Sequence, residues 1–265
     1  MHKITSRQRQ RAAKTKYTKR RVSTTARNVG SELLPIREFV MTENISTAMN
    51  AGQTNGSRLR LLATLLVLLI LQLPLAGMLA PGLTVTAQIE RETIFWACTV
   101  LLVGYILLFE RRGLSSIGLY WPNWKSLLFG FAGAIVMMAG IAFIYLVIFP
   151  EFGWSDQSQT AEAENFPFGL LFVVVVRAAV FEEIFYRGFA IERLTEITGL
   201  RWLAGLISVI AFTYAHLDYW GWAHLLVAGF GGLVLTGMYL WRRDLASNMI
   251  AHFLTDAVGF LLEAV

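Results

Sequence analysis

The sequence predicts an all-α protein, a polytopic transmembrane helical bundle of about seven spans with its N-terminus in the cytoplasm. Three observations predict it. Of the 265 residues, 55% are hydrophobic and 15% charged, and the mean hydropathy is +0.54; a soluble domain carries about 25% charged residues. From Leu59 onward, apolar runs follow one another between short polar breaks, each close to the ~20 residues that cross ~30 Å of hydrocarbon. The basic residues of those breaks fall almost entirely on one side of the bundle that results. This composition excludes a soluble globular enzyme, a disordered chain and a disulfide scaffold. The single cysteine, Cys98, lies in an apolar run, which excludes an internal disulfide and a cysteine-rich zinc site.

Residues 1–58 read as a basic, disordered tail. Residues 1–60 hold 13 Lys and Arg against three acids, Glu32, Glu38 and Glu43. A stretch this polar buries too little apolar surface to offset chain entropy. It reads as a solvated cytoplasmic tail held near anionic lipid. An organelle transit segment, or a start at Met41 or Met49, are the alternatives. Nucleic acid is not an expected partner, because Tyr17 is the one aromatic residue among the basic residues of 1–30.

Residues 59–109 are expected to form accessory spans, near 59–80 and 93–109, with Pro74 kinking the first. Residues 110–265 hold the rest, near 126–149, 170–193, 203–219, 222–240 and 245–264. Backbone groups in lipid need internal partners, so these spans should be helices. Continuous apolar runs do not fit the alternating pattern of a membrane barrel. With the N-terminus inside, the inner face collects the tail plus Arg111, Arg112, Lys125, Arg193, Arg201, Arg242 and Arg243, and the outer face only Arg91. That is the bias of a protein inserted with its positive side inward. The expected outer loops carry Glu90, Glu92, Glu151, Asp156, Glu162 and Glu164. Trp121, Trp124, Trp202 and Trp241 fall at inner ends, and Trp96, Trp154, Trp220 and Trp222 at outer ends, as interface anchors do.

An ionisable residue in hydrocarbon costs at least ~2.5–3.5 kcal/mol on insertion, so each needs a reason. The fourth span carries Arg177, Glu182, Glu183 and Arg187, the fifth His216, and the seventh Asn248, His252 and Asp256. Glu183 and Arg187 are four apart and share a helix face. Glu182 is turned about 100° away with no partner at i+4, the setting a general base needs. The competing reading is that both glutamates pair with Arg177 and Arg187 and hold the bundle together. His252 and Asp256 are also four apart, which suits a histidine oriented by a carboxylate, two ligands of one metal, or interhelical glue. A simple 1.5 Å rise places His216 ~8–10 Å out of level with Glu182 and His252.

The motifs Glu182-Glu183…Arg187, Phe212…His216 and His252…Asp256 together resemble the CPBP family. That family joins type II CAAX prenyl endopeptidases with bacteriocin-processing and immunity membrane proteins. Tyr186-Arg187-Gly188-Phe189, Asp244-Leu245-Ala246 and Ile250-Ala251-His252 match its flanks. The stretch from Arg112 to Leu119 is similar to a segment that often precedes its core. The resemblance covers roughly residues 110–265. It implies an intramembrane endopeptidase acting on a membrane-associated protein or peptide. By the resemblance, Glu182 activates a water with His216. His252 and Asp256 bind the developing oxyanion or orient the scissile carbonyl, while Glu183 and Arg187 fix the helix and tune Glu182. Asp256 departs from the Asn that many CAAX-type members carry. It must be protonated to donate to an oxyanion, or else orient His252.

The family is described both as metal-free and as metal-dependent. The cofactor expectation is therefore none, or a divalent ion such as Zn²⁺ on Glu182, His216 and His252. The alternative function is a non-catalytic immunity or scaffold protein of the same fold, and a proton-relaying transporter stands third. Ala228, Gly232 and Thr236 form a row of small residues that reads as close helix packing, and secondarily as a homo-oligomer face. A bacterial inner membrane is the expected location, with an organellar membrane if 1–58 is a transit segment.

Overall fold

A computed structural model describes residues 59, 61–82, 84–155 and 166–261, all within one compact unit, Ser57–Val265. The tail expected over 1–58 and the acids Asp156, Glu162 and Glu164 lie outside the described residues. Among the described residues every regular element is helical. Three helices are long and apolar enough to cross a membrane: Val85–Phe109, Trp124–Glu151 and Leu225–Arg242.

Helix α1 spans Leu61–Gln72. Pro74 then breaks the run, and a short α2 follows at Leu75–Leu79. Helix α3 starts at Val85, where the Thr84 hydroxyl caps Ala87 N at 3.2 Å, and runs on through a π turn at Tyr105–Phe109. It therefore begins eight residues before the expected span. Glu90, Arg91 and Glu92, expected in an outer loop, lie on its first turns, and Glu92 is buried. Arg91 reaches back to the carbonyls of Ala80 and Gly82 at 2.9 and 2.7 Å.

Helix α4, Trp124–Phe143, opens with a capping box between Asn123 and Ser126. It widens into a π turn at Ile144–Ile148 just before Pro150. Proline brings no N–H and clashes with the carbonyl of the preceding turn in a regular helix; the wider turn makes room for it. Helix α5 is continuous in three parts, Phe168–Arg177, Ala178–Ala190 and Ile191–Thr198, the middle one wound as π-helix. Gly199 ends it in the left-handed region at φ 71°, where glycine carries no Cβ penalty. Helix α6, Arg201–Ala215, stops one residue before His216. The fifth span thus ends short of the expected residue 219. A single turn, α7, follows at Leu217–Trp220. Helix α8 is Leu225–Arg242. Helix α9 is Leu245–Asp256, capped by the Asp244 carboxylate on Ser247 N and continued by Ala257–Leu261.

The surface is apolar. Leu101, Leu108, Leu146, Ile210 and Leu233 all stand outward, as expected where the surrounding medium is lipid rather than water. Several charged and polar groups, Glu92, Arg177, Glu183, Arg187 and His252 among them, are buried. Helix α9 packs chiefly against α4, with α5 as a further close partner, and α8 packs on α6. The row Ala228, Gly232 and Thr236 faces inward: a Cβ on Gly232 would lie 3.0 Å from the Phe212 ring. That row is helix packing within the chain.

Three of the basic groups expected on one side, Arg112, Arg193 and Arg243, lie near one another. Arg193 donates to both oxygens of Glu110, at 2.9 and 2.6 Å, and to Ser116 Oγ at 3.2 Å. Arg112 pairs with Glu196. Arg243 donates to Glu192 at 2.7 and 2.9 Å and to the Ser116 carbonyl at 2.9 Å. That hydrogen-bonded carboxylate holds the Arg243 guanidinium above its usual range. The short 3-10 turn Leu114–Ile117 is gripped from several sides, since Tyr239 Oη also donates to Ile117 O at 2.9 Å and Leu245 N to Gly118 O at 2.9 Å.

Candidate active site

The middle of α5 decides the site. In π-helix the hydrogen bonds run from i to i+5, so residues five apart come to lie over one another. Arg177 and Glu182 are five apart, and Arg177 Nη1 donates to Glu182 Oε1 at 3.1 Å. Both glutamates thus pair with an arginine, as the competing sequence reading had it, although regular-helix spacing favours only the Glu183–Arg187 pair. Glu182 therefore has a partner, but only on one oxygen. Its Oε2 is buried, has no hydrogen-bond partner, and lies 3.9 Å from His252 Nε2. The widened helix is also buttressed from α6, where Ser208 Oγ donates to the Tyr186 carbonyl at 2.7 Å.

Glu183 differs from its neighbour in every respect. Its side chain and that of Arg187 are both 0% exposed, and Arg187 Nη1 donates to Glu183 Oε1 at 2.8 Å. The same oxygen faces His252 Nδ1 at 2.9 Å, and Asn248 Nδ2 donates to Oε2 at 3.1 Å. A carboxylate already accepting from Arg187 and Asn248 has no proton to give, so His252 Nδ1 is the donor. The ring is thereby fixed, and Nε2 turns toward Glu182 and toward Asp256 Oδ2 at 3.4 Å. Asn248 also donates to the Leu235 carbonyl at 2.7 Å, which ties this cluster to α8. Arg187 lies over the Phe212 ring, its guanidinium carbon 4.2 Å from the centroid.

His216 sits at the end of α6 with its Nδ1 2.7 Å from the Phe212 carbonyl. A carbonyl can only accept, so Nδ1 carries the hydrogen and Nε2 of the neutral ring keeps its lone pair. The Phe212 ring stands between the two histidines, 4.5 Å from the centroid of His216 and 6.4 Å from that of His252. The structure thus gathers Glu182, Glu183, Arg187, His252 and Asp256 by direct contact. His216 joins them through Phe212. Among the described residues, no three His, Cys, Asp or Glu side chains assemble as a metal ligand set; Glu182, His216 and His252 do not meet that geometry.

Two contributors escape sequence reasoning. Asn248 stands out in the seventh span, but no spacing rule links it to Glu183. Glu92 reads as a loop acid, yet it accepts from Arg177 Nε at 3.2 Å and from Nη2 at 3.2 Å. The signal that would have found it is the helix cap at Thr84, which moves the start of α3 upstream.

Beside these helices an apolar groove of about 300 Å³ opens between α4, α5 and α9, lined by residues that include Leu127, Phe131, Val176, Val180, Ile250 and Phe253.

Residues 164–258 match the Rce1-like type II CAAX prenyl endopeptidases. The Rce1-like segment contains all three motifs, from Glu182 to Asp256. The curated proteins give no match, and neither do the solved structures. The match spans residues 164–258 of the 265, so it shows what the C-terminal part of this helical membrane protein resembles, a type II CAAX prenyl endopeptidase.

Proposed function

We propose that this protein is an intramembrane endopeptidase that hydrolyses a peptide bond in a membrane-associated protein or peptide, with Glu182 activating the water. The observation that carries it is the asymmetry of the Glu182 carboxylate. One oxygen is anchored on Arg177, and the other is unpartnered and turned to His252 Nε2. A general base needs an oxygen within hydrogen-bond reach of the proton it takes, and Oε2 is the one left available. Glu182 Oε2 takes a proton from the attacking water, with His216 Nε2 as a second acceptor. The water oxygen bonds to the scissile carbonyl carbon. His252 acts as the imidazolium, with a hydrogen on each ring nitrogen and the Glu183 and Asp256 carboxylates as counter-charges, and it donates from Nε2 to the oxygen that gains charge. Such a donor is worth about 3–4 kcal/mol where water is excluded. The C–N bond then breaks, and the proton held by Glu182 passes to the leaving amine. No step runs through a metal, and chelation should leave turnover within about twofold. Loss of turnover that Zn²⁺ restores would assign the metal instead.

The substrate class follows the matched family: a peptide carrying a lipid on a cysteine near its C-terminus. The apolar groove beside α5 and α9 suits a lipid-linked partner. The proposed location is a bacterial inner membrane.

The test compares the protein termini of cells expressing the native chain or its Glu182→Gln form at matched abundance. Termini that appear with the native chain alone are expected, and they identify the substrate. Identical termini, with both forms inserted, would favour a non-catalytic binding or immunity role.

A further inference from the structure

Given Glu182 as the base proposed above, we propose that Glu92 and Arg177 are a positioning pair for it, so that α3, a helix outside the Rce1-like segment, completes the site. Every guanidinium nitrogen of buried Arg177 is engaged. Nε and Nη2 grip Glu92, each at 3.2 Å, and Nη1 reaches Glu182 at 3.1 Å. The two-point grip fixes the plane of the guanidinium and so fixes the direction of the remaining N–H. Helix α3 holds Glu92 and Arg177 from one face. Gln88 Nε2 donates to Glu92 Oε1 at 2.9 Å, and the Phe95 ring lies 4.4 Å from the guanidinium carbon.

The charges add a second reason. Arg177 alone would bring an unbalanced positive charge against Glu182. Glu92 cancels it, so Glu182 receives a directed hydrogen bond without a net cation beside it. Occupying Oε1 in this way leaves Oε2 as the oxygen on the His252 side. A buried ion pair is a poor device for stability alone, because desolvation offsets most of its attraction. The third bond, to Glu182, is what a purely structural pair would not need.

The test uses the full chain in detergent and a quenched peptide ending in a farnesylated CAAX box. It compares kcat and KM for native, Glu182→Gln, Arg177→Lys, Glu92→Gln and the double variant Glu92→Gln/Arg177→Gln. The double variant removes both charges of the pair together, so neither is stranded, and Glu182 alone loses its donor. Kinetics are read per folded molecule, and kcat falls at least about tenfold, as for a misplaced reacting group. KM should stay within about twofold, since ground-state binding is untouched. Arg177→Lys should not recover kcat, because an ammonium lacks the fork. Native kcat per folded molecule in the double variant, with Glu182→Gln inactive, would overturn the positioning role alone. Full turnover by Glu182→Gln would overturn the proposed base and this inference with it.

Discussion

Glu182 and Glu183 are neighbours in sequence with opposite duties, and single substitutions should separate them. Glu183 holds Arg187, Asn248 and His252 in a fully buried cluster. Glu183→Ala leaves a buried guanidinium without its partner, which should cost about 3–5 kcal/mol. Thermal unfolding in detergent should show it, with little folded protein left to assay. Asn248→Leu should cost about 1–3 kcal/mol, because Glu183 Oε2 and the Leu235 carbonyl lose their donor. Glu182→Gln, by contrast, changes one atom of a group with a free oxygen. Its melting should stay within about 1 kcal/mol of native, while turnover is lost. The Glu183–Arg187 pair is legible in the sequence because four-residue spacing means one face of a helix. The Arg177–Glu182 pair is legible only as the competing reading, because five-residue spacing on a regular helix gives no reason to prefer it; it forms where the helix is wound as π. That winding depends on contacts such as Ser208 on the Tyr186 carbonyl, which come from distant sequence.

The helices themselves were easier to read than their ends. Apolar runs locate α3, α4, α5, α6, α8 and α9, and the break at Pro74 is visible directly. Charges near a span edge mislead. Glu90, Arg91 and Glu92 read as loop because exposure is the usual fate of such residues, whereas α3 buries Glu92 against Arg177. His216 also looked out of level with its partners. The Phe212 ring lies beside both histidines, its centroid 4.5 Å from that of His216 and 6.4 Å from that of His252. A close approach of α4 and α9 gives a prediction at this scale. A Cβ on Gly130 of α4 would lie 2.7 Å from Ile250 Cβ and 3.1 Å from the Ser247 carbonyl on α9. Gly130→Ala should therefore cost about 1–3 kcal/mol as overpacking. Helix α9 carries His252, so kcat should fall as well, measured alongside melting in the same preparation.

Among the described residues the surface is as apolar as the core, and several ion pairs are buried within. The basic clusters around Ser116 gather Arg112, Arg193 and Arg243 at one end, in keeping with the asymmetry read from the sequence. Seven spans entered from the cytoplasm would leave Val265 outside. A reporter fused after Val265 should therefore be active only beyond the membrane, and cytoplasmic activity would sink that topology.

The turn at Ser116 also bears on how the molecule can be dissected. It binds Arg193 on α5, Tyr239 on α8, and Leu245 at the start of α9, yet it lies well upstream of residue 164. Glu92 does too. The recognisable stretch is therefore not a portable cassette. Excised at its own borders, it would keep every motif and lose the clasp that sets the register of its helices. A grafted or truncated version would look complete on paper and arrive without its frame.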